Sequence, residues 1–161
     1  AIIWRGVVLS AVFAILVGLA IALDAGLAER AAGRRLALVG LLFVGSSFLG
    51  GVLAFVFGTL VSRRRTASQR FSAMMAGLLF FTAAVGTVLY AFHFRTYFAP
   101  MHDPFPSERW FYQNLMTMAA AVYQFAAAGL RYLVPTGVPL LFAAATAFSL
   151  SAKRFAGDRR N

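Results

Sequence analysis

Between residues 36 and 61 the chain runs without one charged side chain. About 20 apolar residues suffice to cross a hydrocarbon core of about 30 Å, so this stretch predicts a transmembrane helix with length to spare. The same pattern recurs over residues 6–23 and 71–92, and over a shorter run at about 136–152. Polar segments separate these runs. Asp24, Glu29, Arg30, Arg34 and Arg35 fall between the first two, with Gly26 and Gly33 as breakers. Arg63, Arg64, Arg65 and Arg70 fall between the second and third. After the third run, Pro100, Pro104 and Pro106 make an extended, stiff connection. The alternation predicts an all-α fold, a polytopic transmembrane helical bundle forming a single integral membrane domain over residues 1–161.

Residues 108–133 fit neither class. Gln113, Thr117, Gln124 and Arg131 recur near one helical face, and Phe111, Leu115, Met118, Val122 and Phe125 near the other. Ser107 stands where an N-cap belongs, with Glu108 in the first turn. We expect four spans plus this helix, which lies in the outer interface or dips in and returns; five spans are the alternative. Pro135, Gly137 and Pro139 are expected to break the chain before the last run.

Two spans carry small residues at every fourth position. Ser46, Gly50, Ala54 and Gly58 form one stripe, and Ser10, Ala14, Gly18 and Ala22 form another. Small residues let helix backbones approach, and dispersion contacts then drive association in lipid. These eight positions are the expected helix-packing residues, and the two stripes suggest that the first two spans form a close pair.

Composition agrees with the pattern: 61% of residues are hydrophobic and 12% charged, whereas soluble domains are nearer half apolar and a quarter charged. Cysteine is absent, which removes disulfides, thiolate metal sites and cysteine nucleophiles. The net charge of +10 flanks apolar runs, so it reads as orientation and attraction to anionic lipid, not as nucleic-acid binding. The Arg63–Arg70 cluster in a short loop marks the cytoplasmic side. Four spans then put both ends of the chain inside, with nine basic residues inside against six outside. Five spans with an outside start give the same count but send the cluster across the membrane. Residues 6–23 exceed a usual signal-peptide core and read as a retained helix. Arginine in near-exclusive preference to lysine suggests a bacterial source, hence the inner membrane.

No Walker A loop, dinucleotide-binding turn, HExxH, nucleophile elbow or EF-hand loop is present. His93 and His102 are the two histidines, too few and too differently placed for a bis-histidine haem between helices. His102, Asp103 and Glu108 are the residues an acid–base or metal site would use, but adjacent side chains seldom converge on one atom. Ionisable residues inside spans mark proton and ion paths, and the span interiors lack them. The expected function is therefore a non-catalytic small integral membrane subunit or accessory protein of a larger inner-membrane complex, with no catalytic residue, cofactor or metal. Tyr97, Phe98, His102, Phe105 and Trp110 are expected to dock the partner. Its partners would be membrane lipids and other integral membrane subunits, a hetero-oligomer before a homo-oligomer. The alternative is a membrane component of a transporter or channel, with Gln113, Thr117, Gln124 and Arg131 lining a path; a membrane enzyme using His102, Asp103 and Glu108 comes third.

Overall fold

The computed structural model describes residues 2–27, 34–62 and 65–157, with side chains placed at 3–24, 37–62, 65–127 and 137–152. Every regular element among them is helical. The helices are α1 (Ile2–Leu27), α2 (Arg34–Val61), α3 (Ala67–Phe98), α4 (Glu108–Gln124) and α5 (Leu130–Gly157). A 3₁₀ turn, Ala99–Met101, follows α3, and a π-helical turn, Phe125–Gly129, joins α4 to α5.

Three helices are long and apolar enough to span a membrane: Ile3–Asp24, Ala37–Val61 and Ala67–Met101. The last apolar helix, Gly137–Ala152, is shorter. Four of the five long helices close a ring in which α1 touches α2, α2 touches α3, α3 touches α5 and α5 touches α1. Neighbours in the ring run antiparallel, as the pairs Gly6 with Phe55, Gly58 with Met74 and Phe71 with Phe142 establish. This is up-down-up-down bundle topology. Across the bundle, Phe55 of α2 meets Phe148 of α5 edge to face at 5.6 Å. The core between the helices is filled by Phe13, Val17, Ile21, Phe43, Met74 and Leu78. The outer surface is equally apolar, with Leu19, Leu41, Leu60 and Phe80 more than half exposed, as suits helices whose solvent is lipid.

Helix ends follow local chemistry. Thr66 caps α3 through a capping box: its hydroxyl accepts from the Gln69 amide while the Gln69 side chain accepts from the Thr66 amide. Ser107 caps α4, accepting from the Trp110 amide at 3.1 Å. The loop between α3 and α4 contains a cis Phe105–Pro106 bond.

The structure corrects two expectations. The chain does not break at residues 134–139; α5 runs through both Pro135 and Pro139. Each proline removes one intrahelical hydrogen bond, a loss that helices can absorb at membrane depth through local adjustment of the backbone. The 108–133 helix is likewise not a separate element that dips and returns. It passes through the π turn into α5, giving one helical run from residue 108 to residue 157, about 75 Å by α-helical rise. The third span is also longer than the expected 71–92, since α3 includes the aromatic residues up to Phe98.

Candidate functional site: the aromatic end of the bundle

The small-residue stripes lie in the bundle, but they do not face one another. Ser46, Gly50, Ala54 and Gly58 are all buried and turn toward α3. A Cβ at Gly50 would stand 2.6 Å from the Thr82 Cα and 2.7 Å from its amide nitrogen. Ala54 lies against Gly77, Gly58 against Met74, and Ser46 beside Gly86. The α1 stripe meets a different face of α2: Ser10 lies against Gly51 and Gly18 against Val44. Ala14 is buried and Ala22 partly so. Helix α2 thus has two smooth faces, one for each neighbour, and only α3 meets the stripe that stands out in the sequence.

Hydroxyls in the bundle mostly turn back on their own helices. Ser10 donates to the Gly6 carbonyl at 2.7 Å, Ser46 to that of Phe43 at 3.1 Å, and Ser62 to that of Gly58. Ser47 Oγ and Thr82 Oγ1 are the buried side-chain atoms without a hydrogen-bond partner among the described residues.

At the end where α2 begins and α3 finishes, α4 packs on α3 with its polar face inward. Gln124 accepts from the Tyr90 hydroxyl at 2.9 Å, and Asn114 accepts from Arg95 Nε at 2.9 Å. Gln113 accepts from the Asp103 amide at 2.8 Å. The Thr117 hydroxyl donates to the Gln113 carbonyl at 2.7 Å and lies 3.1 Å from His102 Nε2. Because the single Thr117 proton is already committed, its oxygen accepts, and His102 carries its proton on Nε2. The side chain of Arg131 lies outside the described residues. Gln113, Thr117 and Gln124 therefore tie the loop and α4 to α3.

The aromatic residues divide between packing and exposure. Arg95 lies over the Trp110 ring with 5.9 Å to the centroid, and Phe105 meets Trp110 edge-on at 4.8 Å. Phe98 packs between Phe94 and Tyr97. Of the five residues expected to dock a partner, Phe98, His102 and Trp110 are partly buried by these contacts, whereas Tyr97 and Phe105 are 70% and 73% exposed. Met101, Phe111, Tyr112, Met116 and Tyr123 are also more than half exposed, and of these only Phe111 was singled out by the sequence pattern. Their signal was present in the spacing, because positions opposite the Gln113–Thr117 face must point outward once that face is bound.

The π turn sets the other boundary. Phe125 enters the core beside Phe43 at 6.2 Å and Tyr90 at 6.0 Å. The residue was expected near the face opposite Gln113 and Thr117, with Val122. It follows Ala121 by four residues, however, and so shares the inward face. Gly86 makes the room, since a Cβ there would lie 2.7 Å from Phe125 Cζ.

His102, Asp103 and Glu108 do not gather: among the described residues no three His, Asp or Glu side chains are grouped as a metal site would need. The Arg63 and Arg64 positions of the basic cluster lie outside the described residues. No protein-family model matches the chain, and neither a curated protein nor a solved structure is significantly similar to it.

Proposed function

We propose that this chain is a non-catalytic integral membrane subunit or accessory protein of a larger bacterial inner-membrane complex. The observation that carries this reading is the inverted α4. Its polar side chains are spent on α3 and the loop, while Phe111, Tyr112, Met116 and Tyr123 point outward. With Tyr97, Met101 and Phe105 they are exposed aromatic and sulfur-bearing side chains on α3, the loop and α4, residue types enriched in interface cores and in headgroup-level belts.

The topology that accommodates this surface has four spans. The fourth is the segment of α5 that closes the bundle against α1 and α3, and α4 continues it into the outer interface of the membrane. The Arg63–Arg70 loop then lies in the cytoplasm, on the same side as Arg5 and the basic residues that follow position 152. Transport along the Gln113 face finds less support, because Gln113, Thr117 and Gln124 already hold α4 in place.

The test is purification of the tagged chain from native membranes in a mild detergent, followed by mass spectrometry and an absorption spectrum. Stoichiometric foreign subunits are expected, and Tyr97→Ala with Phe105→Ala should deplete them without loss of the chain itself. A colourless particle containing this chain alone would overturn the reading.

A further inference from the structure

Arg95 is the basic residue in the last turn of α3, and its guanidinium is fixed at two points. Nε donates to Asn114 Oδ1 at 2.9 Å, and the central carbon stands 5.9 Å from the centroid of the Trp110 ring. Both partners are themselves held. Asn114 Nδ2 donates to the Trp110 carbonyl at 3.0 Å, and Phe105 meets the Trp110 ring edge-on at 4.8 Å.

The Nη edge of the guanidinium is left over. Among the described residues neither Nη atom has a hydrogen-bond partner, and no Asp or Glu pairs with Arg95. Neither atom is sealed off, because the buried side-chain atoms without partners are Ser47 Oγ and Thr82 Oγ1. Arg95 as a whole is partly buried. A cation held beside aromatic rings loses part of its hydration, and an anion is the neighbour that compensates it. The negative end of the α3 dipole favours a cation here but gives the Nη hydrogens no acceptor.

Depth identifies the anion. Arg95 lies inside the apolar helix Ala67–Met101, and Arg70 lies near the start of the same helix. Helical rise separates the two by about 37 Å, close to the roughly 40–45 Å of a bilayer with its headgroup layers. An α3 that crosses the membrane therefore carries Arg95 at headgroup level, where phosphate is the abundant anion. A guanidinium presenting its Nη edge matches two phosphate oxygens in a planar fork.

We propose that the Nη edge of Arg95, oriented by Asn114 and Trp110, binds the phosphate group of a phospholipid headgroup. The inference needs only the membrane location and stands apart from the accessory-subunit reading.

The experiment uses the full chain in nanodiscs of equal phosphatidylglycerol and phosphatidylcholine, with the lipid retained by the released protein read by native mass spectrometry. Phosphatidylglycerol, whose phosphate has no cation beside it, should be retained in preference. Arg95→Gln should reduce that preference about tenfold, the loss expected for a hydrogen bond to a charged group. Arg95→Lys keeps the charge but not the fork and should also weaken the preference severalfold. Arg109→Lys, at an exposed position, should leave it unchanged. Inorganic phosphate added to the nanodiscs should not displace the lipid; displacement would assign the fork to a soluble phosphate and overturn the headgroup as its source. Retention unchanged by Arg95→Gln overturns the proposal and leaves the Nη edge to a carboxylate of a protein partner. If Arg95→Gln does not fold, Arg95→Lys decides: retention equal to that of the native chain would show that charge alone attracts the lipid, and the fork would be refuted.

Discussion

Gly50 of α2 rests directly on the main chain of Thr82 in α3: a Cβ at residue 50 would stand 2.6 Å from the Thr82 Cα and 2.9 Å from the Phe81 carbonyl carbon. What lies across the contact is backbone, so no rotamer change can relieve an added atom. The two helices are set at the separation that only glycine permits here.

Gly50→Ala should therefore destabilise the bundle by about 3 kcal/mol, the upper part of the usual overpacking range, and Gly50→Leu should prevent accumulation of the folded chain. Gly40 is the control, because nothing lies within 4 Å of a Cβ placed there. Gly40→Ala should be neutral or stabilise by up to about 1 kcal/mol through helix propensity. Thermal loss of the monodisperse peak in detergent measures both. Equal melting of the Gly50→Ala and Gly40→Ala variants would show that α2 and α3 do not meet at this distance.

Gly86 and Phe125 offer a test of the π turn. Phe125→Ala should cost about 3–5 kcal/mol, because the ring is buried and leaves a cavity. Gly86→Ala should cost about 1–3 kcal/mol by pressing on the ring. Combined with Phe125→Leu, the Gly86→Ala penalty should shrink, since the shorter side chain withdraws from the added methyl. A double-mutant cycle with a coupling energy near zero would contradict the contact.

Ser47 presents the opposite case. Its hydroxyl is fully buried and has no partner among the described residues. Removing an unsatisfied polar group recovers its desolvation cost, so Ser47→Ala should be neutral or stabilise by about 1 kcal/mol. Ser10→Ala, which deletes a bonded hydroxyl, should not stabilise. A loss of stability in the Ser47 variant as large as that at Gly50 would reveal a partner for this hydroxyl.

Thr117 holds the loop by accepting from His102 Nε2. Thr117→Val keeps the shape of the side chain but removes the acceptor, at a cost of about 1 kcal/mol. The expected readout is local: amides around residues 99–107 should exchange faster with solvent while those of α2 keep their protection. Uniform acceleration across the chain would mean that the bond supports the whole bundle.

The outward face of α4 can be mapped with single cysteines in this cysteine-free chain. Cysteines at Met116 and Tyr123 should react with thiol probes carried in the lipid phase, and cysteine at the fully buried Ala121 should not. Reaction at Thr117 with water-soluble reagents, accompanied by protection of Met116 from lipid-borne ones, would restore the path-lining arrangement.

Much of the fold was legible because its causes are local. Charge-free runs of membrane length identify the helices by themselves, since unsatisfied backbone in lipid leaves few other structures. Ser107 could be recognised as a cap, and the Thr66–Gln69 capping box carries the same kind of signal in the spacing of its two residues. The polar and apolar faces of α4 followed from helical periodicity; Phe125 departs from them because it follows the buried Ala121 by four residues and enters the core.

By itself the sequence determined the solvent, the helical class, the smooth faces and the division of α4 into a polar and an apolar side. Each of these is a property of one segment and its period. Only the tertiary structure decided which face meets which helix. The Ser46–Gly58 stripe lies on α3 because Thr82 and Gly77 offer complementary surfaces there, while the Ser10–Ala22 stripe takes the neighbouring face of α2 that carries Val44 and Gly51. It also decided that α4 and α5 form one helical path despite two prolines. A proline's cost is fixed locally, but whether the chain absorbs it depends on the packing that the helix gains on either side.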